Sequence, residues 1–81
     1  MVTPESIRQS IAAGLECHHV EVAGDGQQWE AVIVSPAFEG LSRIKQHQLV
    51  YAALGDRMRE EVHALSMQTL TPSQWEARRN G

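Results

Sequence analysis

The chain has 81 residues, of which 42% are hydrophobic and 21% charged, and its net charge is −3 with the histidines neutral. This balance is typical of one small globular domain over residues 1–81, and the negative charge disfavours nonspecific binding to nucleic acid. No apolar run approaches the roughly 20 residues that cross a bilayer. The first ten residues lack the pattern of a signal peptide, and the single cysteine, Cys17, leaves no internal disulfide. We therefore expect a cytoplasmic protein with no membrane partner.

The first half of the chain predicts a helix and a β-hairpin. Thr3 and Pro4 are a typical N-cap and first residue of a helix, and the apolar residues that follow recur at spacing four, on one helix face. These residues are Ile7, Ile11 and Leu15. Segments 17–23 and 29–35 have the alternation and β-branched content of strands. The glycines and aspartate of residues 24–27 favour a tight turn with positive φ angles between them.

The second half predicts a longer helix, a third strand and a short terminal helix. A helical stripe recurs at steps of three and four. It contains Ile44, His47, Val50, Leu54, Met58 and Val62, and Gly55 interrupts it without changing its phase. The region is either one helix or two helices joined near residues 46–49. Residues 63–69 alternate as a strand, and Thr71 and Pro72 begin a helix to about residue 78, in which Gln74 can complete a capping box.

These elements follow the order α-β-β-α-β(-α). They predict an α+β fold in which helices cover one face of a three-stranded sheet. We interpret Tyr51 and Trp75 as aromatic residues that cap the core, with their polar atoms at the surface. Trp29, in the hairpin, is expected to be partly exposed and is a candidate anchor for a partner.

Two segments and one aromatic residue together resemble a known family. The segments are "FEGLSRIKQHQLVYAAL" and "VHALSMQTLTP", and the aromatic residue is Trp75. They resemble the BolA-like proteins over the range from Ile7 to Trp75, and the "VAGDG" hairpin is most similar to the bacterial branch that includes IbaG. The ordered set that carries the resemblance is Phe38, Gly40, Val50, Leu54, His63, Ala64, Leu65, Thr71, Pro72 and Trp75.

The resemblance implies both a fold and a function. BolA-like proteins have a fold similar to class II KH domains, and they bind monothiol glutaredoxins. The two proteins share a 2Fe–2S cluster with glutathione or form a cluster-free complex, and they serve iron–sulfur trafficking or iron regulation. The family's histidine before the third strand supplies an iron ligand, and it corresponds to His63. The resemblance therefore predicts a non-enzymatic adaptor. The alternative is a KH-like, DNA-binding transcriptional regulator, as proposed for some members.

The chemistry of His63 agrees with this role. Neutral imidazole is a good ligand for iron, and histidine in place of a thiolate makes a cluster pH-sensitive and raises its potential. The structural alternative is a partly buried histidine bonded to a carbonyl. Many members also carry a cysteine or histidine in the first hairpin loop, where this chain has about Gln28. Because an amide is a poor cluster ligand, we expect a labile cluster or a cluster-free complex.

"CHH", residues 17–19, suggests a second metal-binding candidate. In a strand, Cys17 and His19 would point to one face and His18 to the other, so these are more simply surface or half-buried strand residues. Cys17 could replace the missing loop ligand only if the strand brought it towards His63.

A partner or nucleic-acid surface is predicted on the second helical region, where Arg43 and Lys45 lie near His47. His47 could instead pack beside the core. The glycines Gly14, Gly24, Gly26, Gly40 and Gly55 include no pair three residues apart, which disfavours the GxxG grip of a KH domain on RNA. The chain also lacks the common nucleotide-binding and hydrolase motifs.

Overall fold

A computed structural model describes residues 3–25, 28–55 and 65–80. Its elements are α1 (Pro4–Gly14), β1 (His19–Gly24), β2 (Trp29–Val34), a 3-10 turn (Pro36–Phe38), α2 (Arg43–Leu54), β3 (Leu65–Leu70) and α3 (Pro72–Asn80). The order confirms the predicted α+β arrangement. No helix within these ranges is both long enough and apolar enough to cross a membrane.

The three strands form one mixed sheet in the order β1-β2-β3. β1 is antiparallel to β2, with His19 opposite Val34. β3 is parallel to β2, with Trp29 opposite Leu65 and Val34 opposite Leu70. Two parallel strands need a crossover connection, and α2 lies in it. The hairpin and the start of β3 therefore share one end of the sheet, and the start of β1 and the end of β3 share the other.

Helices α1 and α2 cover one face of the sheet, as predicted. The buried core between the layers consists of Ile7, Ile11, Trp29, Ala31, Ile33, Phe38, Val50 and Leu54. Ile7 and Ile11 are fully buried, which confirms the predicted face of α1. Gly14 lies where α1 approaches α2, and a Cβ at this position would be 2.9 Å from Ala53 Cα. The close contact between the two helices therefore requires glycine at residue 14.

The predicted helix starts are confirmed by their side-chain hydrogen bonds. The Thr3 hydroxyl accepts from the Ser6 amide at 3.1 Å, and the Ser6 hydroxyl accepts from the Thr3 amide at 3.0 Å. The Thr71 hydroxyl accepts from the Gln74 amide at 3.2 Å, while the Gln74 side chain accepts from the Thr71 amide at 2.9 Å. This is the predicted capping box, and the helix that it begins continues to Asn80. Both boxes satisfy amides that a helix N-terminus leaves unpaired.

The predicted buried face of α2 is partly wrong. Val50 and Leu54 are buried, but Ile44 is 71% exposed and Gln46 is buried in its place. The buried residues of α2 thus follow the spacing 46, 50 and 54. Hydrophobicity alone favours Ile44, but Gln46 can be buried because its side chain finds hydrogen-bond partners.

α2 is one unbroken helix through residues 46–49 and ends at Gly55. The φ angle of Gly55 is +61°, a conformation that glycine adopts at little cost. Gly55 therefore terminates the helix instead of interrupting it. The predicted continuation of the stripe through Met58 and Val62 lies outside the described residues.

The hairpin differs from its prediction in the placement of Trp29. Trp29 is 3% exposed and belongs to the core, so it is not a partner anchor. Gly24 and Asp25 do not have positive φ angles. A Cβ on Gly24 would lie 2.4 Å from Trp29 Cε3. Glycine is required here because the indole packs against the backbone, and not because of the turn.

α3 contacts the opposite face of the sheet. Its Trp75 ring stacks on His19 with the ring centroids 4.6 Å apart, and the Arg78 guanidinium donates to Gln68 Oε1 at 2.6 Å. His19 and Gln68 alternate with inward-facing neighbours, so their side chains lie away from the core. Trp75 therefore covers the outer face and does not cap the core. Tyr51, the other predicted capping residue, is 40% exposed.

Candidate functional site

The hairpin and the start of β3 define the first candidate site. Gln28 directly precedes Trp29, which pairs with Leu65 at the start of β3. The backbone N–H of Gln28 donates to Asp25 Oδ1 at 3.1 Å, and the backbone carbonyl of Gln28 accepts from the backbone N–H of Asp25 at 3.3 Å. The exposed Gln28 side chain therefore sits on a turn at the end of the sheet where the chain enters β3.

His63 lies two residues before Leu65 in the chain and outside the described residues. Its predicted role as an iron ligand therefore stays a prediction. The described part of β3 begins at Leu65, opposite Trp29, the first residue of β2, so β3 starts at the hairpin end of the sheet.

Cys17 lies at the other end of the sheet. It precedes β1, which begins at His19 opposite Val34. Contrary to the prediction, Cys17 is therefore not a strand residue. Six-residue strands separate this end from the start of β3 by roughly 17 Å. The half-buried Cys17 thiol donates to the Leu15 carbonyl at 3.3 Å, and burial raises its pKa. Cys17 therefore lies at the end of the sheet opposite the start of β3.

The two histidines beside Cys17 have different surroundings. His18 is exposed, and its amide donates to the Val34 carbonyl at 2.8 Å. His19 stacks on Trp75, and its buried Nε2 is 3.3 Å from Glu21 Oε2 without forming a hydrogen bond. Within residues 3–25, 28–55 and 65–80, no three His, Cys, Asp or Glu residues are grouped to hold a metal ion.

A groove between α2 and β3 is the second candidate site. We call it the α2/β3 groove. It has a volume of about 250 Å³ and is lined by Arg43, His47, Met67, Gln68, Thr69 and Leu70. The structure thus brings two members of the predicted partner surface together, Arg43 and His47. The third, Lys45, is exposed and does not line the groove.

A hydrogen-bond network that the sequence did not predict connects the two walls of the α2/β3 groove. Gln46 Nε2 donates to the Phe38 carbonyl at 3.2 Å and to the Leu41 carbonyl at 3.1 Å. Its Oε1 accepts from the Thr69 hydroxyl at 2.6 Å. The network therefore fixes α2 against β3 and sets the width of the groove. The sequence signal that could have indicated the burial of Gln46 is its position four residues before Val50, on the same face of α2.

Together, the mixed three-stranded sheet, its crossover helix and its two-helix layer define the class as a small α+β domain. Residues 6–74 match the family model described as BolA-like protein, and the chain belongs to the BolA-like family. It is 40% identical over 80 residues to Protein BOLA2 of Arabidopsis thaliana, across 93% of this chain and 85% of that protein. It is 33% identical over 70 residues to acid stress protein IbaG of Escherichia coli (strain K12), across 85% and 83% respectively.

A solved structure of a bolA protein homologue from Coxiella burnetii has the same fold. Its TM-score is 0.85 and its identity 45%, across 94% of this chain and 99% of that one. These comparisons confirm the predicted family and the α+β fold. The implied likeness to class II KH domains stays a prediction.

Proposed function

We propose that this protein is a non-enzymatic adaptor that binds a monothiol glutaredoxin and takes part in iron–sulfur trafficking or iron regulation. Membership in the BolA-like family supports this role. The observation that carries it is the pairing of Trp29 with Leu65, which sets the turn of Asp25 and Gln28 beside the start of β3, two residues after His63 in the chain. A partner that approaches this end of the sheet can contact both.

The donor atoms at this end of the sheet set the chemistry of the proposal. His63 supplies one imidazole to an iron of the 2Fe–2S cargo, and the glutaredoxin cysteine and glutathione supply thiolates. The hairpin turn contributes the amide of Gln28, which is a poor ligand. The chain's thiol, on Cys17, is at the far end of the sheet. The protein therefore holds the cluster through one side chain, and we expect the cluster to be more labile than in relatives with two ligands.

The direct test is to mix the protein with a monothiol glutaredoxin that carries a 2Fe–2S cluster in the presence of glutathione. We expect co-elution of the two proteins and a changed visible circular dichroism spectrum, because an imidazole alters the environment of the cluster. Separate elution together with an unchanged spectrum would remove the proposal.

A gain-of-ligand variant tests the role of the hairpin. Gln28→His adds an imidazole at the end of the sheet where β3 begins, so under the proposal it should slow the loss of the cluster to a chelator. Gln48→His is the matched control, because Gln48 is also exposed but lies on α2. Equal rates for the two variants would contradict the proposed position of the cluster.

A further inference from the structure

The outer edge of β3, beside the α2/β3 groove, has backbone groups that no other described strand pairs with. The Leu70 carbonyl accepts from the Ser35 amide at 3.0 Å, so the backbone polar groups of Leu70 face β2. Alternate residues of a strand direct these groups to opposite edges. The backbone N–H and C=O groups of Met67 and Thr69 therefore face away from β2. No other described strand pairs with these groups. Such an edge is a template for one more strand.

The opposite wall of the groove supplies positive charge. The Arg43 side chain lines the groove and makes no hydrogen bond or ion pair with another described residue. No described residue that lines the groove is acidic, although the chain as a whole carries −3. Met67 and Leu70 contribute apolar side chains to the lining of the groove. The groove is therefore complementary to a segment that carries carboxylates and some apolar surface.

The groove is also formed before any partner binds. Gln46 holds α2 and β3 together through Thr69, so little has to be ordered at the groove when a segment enters. A preformed site loses less free energy to ordering on binding.

We propose that the α2/β3 groove binds an extended acidic peptide segment of a partner protein, which adds to the sheet along the outer edge of β3. Backbone hydrogen bonds to Met67 and Thr69 hold the segment, and Arg43 selects carboxylates. This is strand addition to an exposed sheet edge. The proposal is independent of iron and of His63, so it can succeed or fail separately from the proposed function.

Single-stranded nucleic acid fits the groove less well. Its affinity rises with the number of phosphates that are neutralised, and Arg43 is the one permanently charged residue among the described residues that line the groove. A peptide needs fewer charges, because the strand edge itself provides donors and acceptors.

The test uses the ¹⁵N-labelled full chain and a capped peptide of about eight alternating glutamate and threonine residues, within the usual length of a strand. We expect slower hydrogen exchange at the Met67 and Thr69 amides on binding. The Gln68 amide should not change, because it already faces β2. A peptide with glutamine in place of glutamate should bind more weakly.

Two matched variants test the role of charge. Arg43→Gln should weaken binding of the acidic peptide roughly two- to five-fold, as for an exposed ion pair. Lys45→Gln, which removes an exposed cation outside the groove, should leave binding unchanged. Equal losses in both variants, no protection at Met67 and Thr69, or equal binding of the glutamine peptide would overturn the proposal. Tighter binding of an oligothymidylate at the same amides would make the groove a nucleic-acid surface instead.

Discussion

Leu54→Ala and Ile44→Ala form a matched pair of truncations on α2, one on its buried face and one in solvent. Leu54 is 4% exposed and Ile44 is 71% exposed. Truncating a buried leucine to alanine costs about 2–5 kcal/mol of unfolding free energy, and we expect about 2–3 kcal/mol because Leu54 ends the helix, where neighbours can relax. Ile44→Ala should change stability by less than about 0.5 kcal/mol, as is usual for surface substitutions.

Urea unfolding followed by tryptophan fluorescence measures this difference. An 81-residue domain has a stability on the order of 4–12 kcal/mol at typical values per residue. With a slope of about 1 kcal/mol per molar urea, Leu54→Ala should lower the midpoint by about 2–3 M. The slope itself should stay constant if unfolding is two-state. A larger loss for Ile44→Ala than for Leu54→Ala would mean that α2 presents its other face to the sheet.

Three further predictions follow from single contacts. Gly24→Ala should lower stability by about 1–3 kcal/mol and shift tryptophan emission, because the new Cβ would lie 2.4 Å from the Trp29 ring; unchanged emission and stability would contradict this packing. Gln46→Ala should cost about 1–3 kcal/mol in urea unfolding, since it leaves buried partners unpaired, whereas the exposed control Gln48→Ala should cost little. The Cys17 thiol should alkylate more slowly in the folded protein than in urea, because its raised pKa keeps it protonated; equal rates would place it in solvent.

The elements that the sequence predicts well depend on nearby residues. The capping box of Thr71 and Gln74 spans three residues, and the face of α1 follows from Ile7 and Ile11 on one short helix. The capping residues bond to residues three positions away, and the buried residues of α1 recur every four positions. Local patterns were therefore sufficient for these helices.

The face of α2 could not be predicted in the same way. Gln46 is buried because its amide reaches Phe38, Leu41 and Thr69, which come from two other parts of the chain. Hydrophobic periodicity contains no information on such partners, so it assigned the buried position to Ile44.

The candidate site depends on strand order. His63 and Gln28 were singled out by resemblance to a family, and no local pattern distinguishes them from other histidines or glutamines. The register that sets the hairpin beside the start of β3 also places Cys17 at the opposite end of the sheet. Parallel pairing of β2 and β3 produces this arrangement. The composition of a strand does not predict whether it pairs parallel or antiparallel.

The most direct test of the central claim is the visible circular dichroism spectrum of a glutaredoxin-bound 2Fe–2S cluster with wild-type protein and with His63→Ala. His18→Ala is the matched control, because His18 is an exposed histidine at the far end of the sheet. The proposal predicts that His63→Ala alone abolishes the spectrum of the mixed complex while the protein stays folded. It also predicts that the wild-type cluster is lost as pH falls through the range of free imidazole, about 6.5, because protons compete with iron. An identical spectrum and pH profile for wild type and His63→Ala would show that His63 is not the ligand.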